Sequence, residues 1–236
     1  MSTPDLQLRA LFKLDARNAI TSTLEPGASR GPIFSLIRGP RSCAWAVRAG
    51  LPARLAGELS RLAELEPPTS DFREPPSHAD EYLSLIADGA ALKFDAGNKA
   101  ASSDGPAFTF SELPSQLTDV VRIDDERGLV QHFSGWLPNE IAEGRGPVMA
   151  VVVDGHPVSI CYCARSSPVA AEAGVETASA YRGRGFAPRV VAAWAVAIRA
   201  AGRIPLYSTS WQNRASLSVA RKLALSAYAS NWSVPD

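Results

Sequence analysis

The sequence predicts an α/β protein in which short apolar strands alternate with amphipathic helices. Two observations predict this class. In the first half, leucines recur at helical spacing from Leu51 until Pro67 interrupts the pattern. In the second half, strand-like apolar runs alternate with helical patterns, and two of the runs are joined by Asp154-Gly155, a dipeptide typical of a hairpin turn. With 236 residues, 46% of them apolar, the chain is long enough to bury a hydrophobic core.

The first half is predicted to form strands and helices of its own. Besides the helix that starts at Leu51, apolar periodicity predicts two further helices and two strands. The helices are Leu6 to Ala19 and Asp80 to Ala91, and the strands are Ile33 to Ile37 and Cys43 to Val47.

A small, polar segment from Gly97 to Pro106 is the predicted domain boundary. It divides the chain into an N-terminal α/β region, residues 1–104, and a C-terminal domain, residues 105–236. Ala44 to Glu66 resembles the opening of a domain like the second half, so an incomplete duplication stays open as one interpretation.

In the second half the predicted elements follow one another closely. Asp124 or Asp125 is the predicted cap of a helix that runs to about Ala142, and Asn213 is the predicted cap of the last helix, which ends near Ala224. A long helix is predicted from Ala187 to Ala201. The predicted strands are Ala107 to Phe110, Val120 to Ile123, Val148 to Val153, His156 to Ala164, Val169 to Ser179, Ile204 to Ser210 and an edge strand from Ala227 to Val234.

Charge and composition exclude several classes of protein. The formal net charge is zero, which argues against a long nucleic acid or an anionic membrane as the main partner. No window reaches the roughly 18 apolar residues of a membrane span, and Met1 to Leu14 lacks the pattern of a signal peptide. Cys43, Cys161 and Cys163 lack the spacing of metal ligands. We therefore expect a cytoplasmic protein with reduced cysteines and no metal.

A glycine turn stands between the strand that ends near Ser179 and the long helix that follows. Gly183 and Gly185, one residue apart, allow backbone conformations in which successive N–H groups converge on one anion. The dipole of the following helix also favours negative charge at this position. Between Thr177 and Pro235 the sequence has eight basic residues and no acidic residue. The stretch therefore predicts a binding site for a phosphate-bearing cofactor.

The same stretch carries a family resemblance. Arg182-Gly183-Arg184-Gly185-Phe186-Ala187 resembles the Arg/Gln-x-x-Gly-x-Gly/Ala signature of the GNAT superfamily of acyl-CoA N-acyltransferases. The resemblance covers about residues 121–236, including the order of strands, hairpin, signature helix and Asn213 helix. Arg221-Lys222-Leu223-Ala224-Leu225 is also similar to the usual ending of that helix in the family. The resemblance implies a mixed, mainly antiparallel twisted sheet flanked by helices, and it makes residues 1–104 a candidate for a degenerate half of the same kind.

The resemblance also implies acetyl-CoA as the cofactor. In the family the amides of the signature, residues Arg182 to Ala187, bind the coenzyme A pyrophosphate. The preceding strand, including Val175 and Thr177, binds the pantetheine arm through main-chain groups. Asn213 and Ser216, at the start of the next helix, are in positions that contact the cofactor. The reaction implied is direct attack of an amine acceptor, a small molecule or a peptide, on the acyl thioester, in a protein that is a monomer or a homodimer.

This reaction needs a base for the amine, and two carboxylates are candidates. Glu172 and Glu176 lie four residues apart on one strand, so alternation places both on one face. We expect Glu176 to act as the general base, directly or through water, or to hold the substrate ammonium together with Glu172. The alternative is that both carboxylates form structural ion pairs with arginines such as Arg165 or Arg189.

The sequence departs from the family at Ala220, where many members carry a tyrosine that protonates the departing thiolate. Ser216, Ser218 or Tyr228 could replace it, or water could. Ser208 to Trp211 is expected to line the acceptor pocket or else only to satisfy strand ends. The absence of the tyrosine keeps a second function open, a non-catalytic acyl-CoA-binding regulatory module.

Overall fold

A nine-stranded sheet runs through the computed structural model, which describes residues 3–89, 102–112 and 119–235. Helices flank the sheet, and the predicted fold class, a mixed and mainly antiparallel sheet with helices, is confirmed. Among the described residues, no helix has the length and apolar character needed to cross a membrane.

The elements alternate along the chain much as the sequence predicts. The helices are α1 (Thr3–Leu11), α2 (Ala53–Glu64), α3 (Ala79–Gly89), α4 (Arg127–His132), α5 (Phe186–Ala200) and α6 (Arg214–Lys222). The strands are β1 (Phe12–Leu14), β2 (Ile20–Thr23), β3 (Phe34–Arg38), β4 (Cys43–Val47), β5 (Ser103–Thr109), β6 (Val121–Ile123), β7 (Val148–Val153), β8 (His156–Ser166), β9 (Ala170–Thr177), β10 (Ile204–Ser208) and β11 (Ser226–Val234).

The order of strands in the large sheet is β4-β3-β11-β5-β10-β9-β8-β7-β6, and β1 pairs with β2 in a separate two-stranded sheet. Every described pairing in the large sheet is antiparallel except that of β9 with β10. The prediction that the C-terminal tail forms an edge strand is wrong. Residues of β11 pair with β3 on one side and β5 on the other, because the buried Trp232 and Val234 pack in the core of the N-terminal half.

The predicted helix from Leu6 to Ala19 is too long. Helix α1 ends at Leu11, and the chain continues into β1, turns, and returns as β2. Asp15 Oδ1 accepts hydrogen bonds from the backbone N–H groups of Arg17 and Ala19, and Asn18 adopts a left-handed conformation with φ 59°. The turn chemistry of Asp and Asn therefore overrides the helical spacing of the apolar residues.

The predicted helix from Asp124 to Ala142 is also wrong beyond its first turns. Helix α4 forms, followed by an extended Phe133 and, further on, a short kinked segment, Ile141–Arg145, in which Gly144 has a non-helical φ of 119°. Pro138 lacks a backbone N–H for a helix, and Asn139 has φ 72°. Of the apolar side chains in this segment, Phe133 and Trp136 are buried, but Leu137 is 63% exposed.

The predicted boundary between residues 104 and 105 falls inside β5. Residues 97–101 of the predicted linker lie outside the described residues. Strands of the two halves are neighbours in the same sheet, since β11 pairs with β3. The division into two domains stays a prediction.

Helix α5 covers one face of the second half of the sheet. Its buried side chains, among them Val191 and Trp194, share a core cluster with Ala171, Ala173 and Val175 of β9. Alternation along β9 then directs Glu172 and Glu176 to the opposite face. This arrangement leaves the carboxylates away from the α5 core.

A buried ion pair joins the sheet of the N-terminal half to the segment after α2. Arg38 Nη1 lies 3.7 Å from Glu66 Oε1, and the two side chains are 2% and 0% exposed. The hydroxyl of Tyr82 donates to Glu66 Oε2 over 3.1 Å, and burial raises the pKa of Tyr82. Glu66 therefore connects a strand, a loop and α3 at one buried point.

We expect Glu66→Ala to lower the free energy of unfolding by about 3–5 kcal/mol, because it leaves the Arg38 cation buried without its partner. Glu64→Ala is the matched control, since Glu64 is exposed at the end of α2, close to Glu66 in the chain, and its loss is expected to cost within about 0.5 kcal/mol. Urea denaturation of both variants measures the difference. Equal stabilities would show that the buried pair contributes nothing.

Candidate functional site

The strands β9 and β10 run in parallel and then separate. Their pairing covers Ala170 with Ile204, Ala171 with Pro205 and Glu172 with Leu206. Beyond Glu172, β9 continues to Thr177 while paired with β8 on its other side. The main-chain groups of residues 173–177 that face away from β8 therefore have no strand partner in the described part of the chain. This open edge can accept an extended ligand with amide groups of its own.

The glycine turn follows the open edge. The chain passes from β9 through a single 3-10 turn, Ser179–Tyr181, and reaches α5 at Phe186. Gly183 has φ 77° and Gly185 has φ 79°, and a Cβ added to either residue would meet no atom within 4 Å. Both glycines thus adopt the left-handed conformation that their sequence pattern predicts, and both face open space at the N-terminus of a helix.

Two arginines hold the shape of this turn. Arg182 Nε donates to the carbonyl oxygen of Thr177 over 3.1 Å, and Arg184 Nη2 donates to the carbonyl oxygen of Ala180 over 3.2 Å. The guanidinium of Arg184 also lies 4.9 Å from the centre of the Tyr181 ring. The cations therefore brace the turn while keeping positive charge beside it.

A second helix begins beside the turn. The side chain of Asn213 accepts a hydrogen bond of 3.0 Å from the backbone N–H of Ser216, so Asn213 caps α6 as predicted. Between the starts of α5 and α6 and the open edge of β9 lies a cleft of about 450 Å³, within the usual size range of small-molecule sites.

The cleft brings together most of the predicted site residues. Of the predicted cofactor residues, nine line it: Val175, Thr177, Arg182, Gly183, Gly185, Phe186, Ala187, Asn213 and Ser216. Glu176 lines it as well, while Arg184 and Glu172 are not among its lining residues. Sequence reasoning missed five others: Tyr181, Pro188, Ala215, Val219 and Lys222. Ala215, Val219 and Lys222 recur at helical spacing after Asn213, and this was the signal that could have found them.

Glu176 is partly exposed beside the cleft. Neither a hydrogen bond nor an ion pair of its carboxylate is found among the described residues. The charge of Glu176 acts on Tyr162, whose pKa is raised mainly by burial; Arg145 lowers this pKa and Glu176 raises it. The Glu176 carboxylate therefore borders the cleft without a partner among the described residues.

Glu172 lies in a different environment. Its side chain is buried, and both carboxylate oxygens accept hydrogen bonds: Gln7 Nε2 donates to Oε1 over 2.5 Å, and Ser208 Oγ donates to Oε2 over 2.7 Å. The hydroxyl of Tyr228 in turn donates to Gln7 Oε1. Burial, and then the charge of Glu172, raise the pKa of Tyr228. Glu172 is thus held by two neutral donors, Gln7 and Ser208, and Tyr228 in turn holds Gln7.

The alternative that Glu172 and Glu176 pair with arginines is wrong. Arg165 forms its ion pair with Glu25, with Nη2 3.3 Å from Oε2, and Arg189 pairs with Asp119. Both arginines are therefore already paired with carboxylates other than those of Glu172 and Glu176.

The side chains that could replace the missing tyrosine as proton donor lie in different places. Ala220 is buried in the α5 core, and Tyr228 is engaged with Gln7. Ser216 and Ser218 line the cleft. Ser208 is bonded to Glu172, whereas Trp211 lies under the guanidinium of Arg73 at 4.1 Å. The serines of α6 are therefore the side chains best placed to reach a group in the cleft.

None of the three cysteines is among the described residues that line the cleft. Cys161 and Cys163 are buried, and burial raises the pKa of both thiols; burial also raises the pKa of Cys43 to about 11. Among the described residues, no group of three or more His, Cys, Asp or Glu side chains could hold a metal ion.

Several solved structures are similar to parts of this chain. One is the crystal structure of a GNAT-family protein from Novosphingobium aromaticivorans, which is 19% identical over 56% of this chain and 64% of that chain, with a TM-score of 0.49. Another is a GCN5-related N-acetyltransferase-like protein from Streptococcus suis, which is 18% identical over 90% of this chain and 88% of that chain, with a TM-score of 0.49. A third is a GNAT-family acetyltransferase from Colwellia psychrerythraea, which is 14% identical over 67% of this chain and 63% of that chain, with a TM-score of 0.47. The chain thus spans just under two thirds of the first and third of these proteins.

A search of curated proteins finds no match. A model of the GNAT acetyltransferase family, however, matches residues 93–230, more than half of the sequence, including the open edge of β9, the glycine turn and α6. The chain therefore belongs to the GNAT acetyltransferase family.

Proposed function

We propose that the protein transfers an acetyl group from acetyl-CoA to an amine. The observation that carries the proposal is the cleft in which the open edge of β9, the glycine turn and the start of α6 meet. An edge with unpaired main-chain groups suits an amide-containing arm, and a helix start with positive φ glycines suits a pyrophosphate. Both features lie in one continuous site.

The residues present fit coenzyme A chemically. The N–H groups from Gly183 to Ala187 would bind the pyrophosphate, with Arg182 and Lys222 adding positive charge. The main-chain groups of Val175 and Thr177 would bind the pantetheine arm, and Asn213 and Ser216 would contact the cofactor from α6. Apart from Glu176, no acidic side chain is among the described residues that line the cleft, so little there opposes the binding of an anion.

Acetyl-CoA supplies an activated thioester, and the protein must supply proton transfer and charge stabilisation. We propose that Glu176 removes the proton of the acceptor ammonium, directly or through water. A main-chain N–H on the open edge of β9 would donate to the oxygen that becomes negative during attack. Ser216 or Ser218 would deliver a proton to the departing thiolate. Each role uses a group that already borders the cleft.

We propose that Glu172 contributes differently from Glu176. Because both of its oxygens already accept hydrogen bonds, it is better suited to fix the Ser208 hydroxyl at the point where β9 and β10 separate than to move a proton. Any contact of Glu172 with the substrate ammonium would require Ser208 or Gln7 to give up its bond.

One observation favours a second function, a regulatory module that binds acyl-CoA without turnover. Ala220 is buried and provides no hydroxyl at the position where many family members carry a tyrosine. The serines of the cleft are weaker acids than a tyrosine.

Two measurements separate the functions. Isothermal titration with acetyl-CoA and with CoA tests the cofactor, and release of free thiol against a panel of amines tests turnover. Saturable binding with acceptor-dependent thiol release is the expected result. Binding without turnover on any amine would favour the module, and a lack of binding would overturn the cofactor assignment.

A further inference from the structure

A second depression, which we call the arginine groove, lies beside α6. It holds about 610 Å³, within the usual size range of small-molecule sites. Its lining residues are Arg73, Phe108, Trp211, Arg214, Leu217, Ala220, Arg221 and Leu225. None of these is among the described residues that line the cofactor cleft, so the groove is a separate site.

Helix α6 presents different faces to the two sites. Residues 215, 216, 218, 219 and 222 border the cofactor cleft, whereas residues 214, 217, 220 and 221 border the groove. Arg214 and Arg221 are seven residues apart, so they project from the same side of the helix. They lie two turns, about 10 Å, apart along its axis. The groove thus receives two guanidinium groups from one side of α6.

A third guanidinium reaches the groove from the N-terminal half of the chain. Arg73 stands on the loop between α2 and α3, and its guanidinium lies 4.1 Å from the centre of the Trp211 ring. The next residue of this loop, Glu74, accepts a hydrogen bond from Arg38 through its carbonyl oxygen. Arg38 is also the cation of the buried pair with Glu66. The buried pair therefore anchors the backbone next to Arg73.

The positive charge of the groove has no described counter-charge. No described acidic side chain lines the groove or forms an ion pair with one of its three arginines. Asp71 Oδ1 instead accepts a hydrogen bond of 3.0 Å from the backbone N–H of Arg73, and Glu74 Oε2 accepts one from a threonine hydroxyl of the same loop. Asp104 lies on the same face of β5 as Phe108 but is not a lining residue. The groove therefore attracts anions.

Apolar side chains lie among these cations. Phe108 and Trp211 contribute flat rings, and Leu217 and Leu225 contribute aliphatic surface. All four residues are only half-buried, so a ligand can cover apolar surface that is now open to water. Aromatic rings stack on one another, and the planar guanidinium of arginine matches a carboxylate or a phosphate. The combination suits a flat ring that carries a negative charge.

We propose that the arginine groove binds a small aromatic anion, a flat ring with a carboxylate or a phosphate group. The ring would lie against Trp211 and Phe108, and the anionic group would accept charge-assisted hydrogen bonds from Arg221 or Arg214, with Arg73 adding positive charge. A long nucleic acid fits less well, because the chain has no net charge and the described lining of the groove has only three cations. The proposal does not depend on acetyl transfer, since this ligand is expected to bind without acetyl-CoA.

Titration of 2-naphthoate and of 2-naphthyl phosphate into the ¹⁵N-labelled protein tests the proposal in the absence of acetyl-CoA. The chain has five tryptophans, and the indole N–H signal of Trp211 is assigned from its loss in Trp211→Phe. We expect this signal to shift saturably with at least one of the two anions, while the other four indole signals stay in place. The tighter ligand identifies the preferred acidic group. No saturable shift of the Trp211 signal with either anion would overturn the proposal.

Further probes separate the ring from the charge. The compound 2-naphthol has the ring without the charge at neutral pH, whereas acetate and inorganic phosphate have the charge without the ring. All three are expected to bind at least about tenfold more weakly than the tighter aromatic anion, because each lacks one of the two interactions. If 2-naphthol binds equally well, the arginines contribute nothing; if acetate or phosphate does, the rings contribute nothing. Either result would contradict the proposal.

Charge variants assign the binding to the groove. Arg221→Gln and Arg73→Gln are each expected to weaken binding of the aromatic anion about tenfold, through the loss of one cation. Both arginines are exposed, so the fold should not change. Lys222→Gln is the matched control, because Lys222 follows Arg221 on α6 but lines the cofactor cleft. Unchanged binding in both arginine variants would overturn the assignment, and weaker binding in Lys222→Gln alone would place the anion in the cofactor cleft instead.

Discussion

Replacing Gly185 with leucine is expected to weaken acetyl-CoA binding about 100-fold or more while the protein stays folded. The Cβ of residue 185 would point into open space at the cleft, where a phosphate must approach the backbone N–H groups closely. Two charge-assisted hydrogen bonds to an anion, each contributing about 1.5–3 kcal/mol, account for an effect of this size. Isothermal titration measures it.

Gly202→Leu is the matched control for backbone strain. Gly202 has φ 72°, follows the other end of α5, and a Cβ there would also meet no atom within 4 Å. Each substitution is expected to cost about 1–2 kcal/mol of stability, since both place an L-residue in the left-handed region. Only the Gly185 variant should lose affinity. If both variants bind acetyl-CoA equally well, the glycine turn does not hold the pyrophosphate.

The parts of the site that the sequence predicted depend on local chemistry. The left-handed glycines, the hairpin at Asp154-Gly155 and the Asn213 cap each follow from a few adjacent residues, and all three are present. Strand β4 begins and ends at the predicted residues, Cys43 and Val47, and α5 starts one residue from its predicted start. The resemblance to the GNAT superfamily, together with the glycine turn, named ten cofactor residues, and nine of them line one cleft.

The parts that the sequence did not predict depend on contacts between distant segments. Gln7 and Glu172 are 165 positions apart, and no local pattern indicates that α1 would bring an amide to that carboxylate. The same holds for β11, which periodicity identifies as a strand but cannot place between β3 and β5. The arginine groove combines residues of the α2–α3 loop, β5 and α6, so it too was beyond sequence reasoning. The predicted role of Ser208 to Trp211 in lining an acceptor pocket stays a prediction.

Glu176→Gln is expected to lower kcat at neutral pH about 10²- to 10⁴-fold, the usual contribution of a general base, with little change in acetyl-CoA affinity. The substitution keeps the size of a side chain that has no described hydrogen-bond or ion-pair partner, so the fold should not change. An amine acceptor with an ordinary pKa near 10 is protonated at neutral pH. Without the carboxylate, the rate should therefore recover as pH rises and the acceptor loses its proton to solvent.

The pH profile separates catalysis from structure. Thiol release would be followed from neutral to alkaline pH in Glu176→Gln, in Glu172→Gln and in the surface control Glu143→Gln, whose residue is exposed. A base that acts directly gives a defect that shrinks with rising pH. A residue that positions Ser208, as proposed for Glu172, gives a defect that is nearly constant with pH, because its loss does not change the protonation of the amine. If Glu176→Gln retains full activity across this range, Glu176 is not the base, and a pH-dependent defect in Glu172→Gln would transfer that role to Glu172.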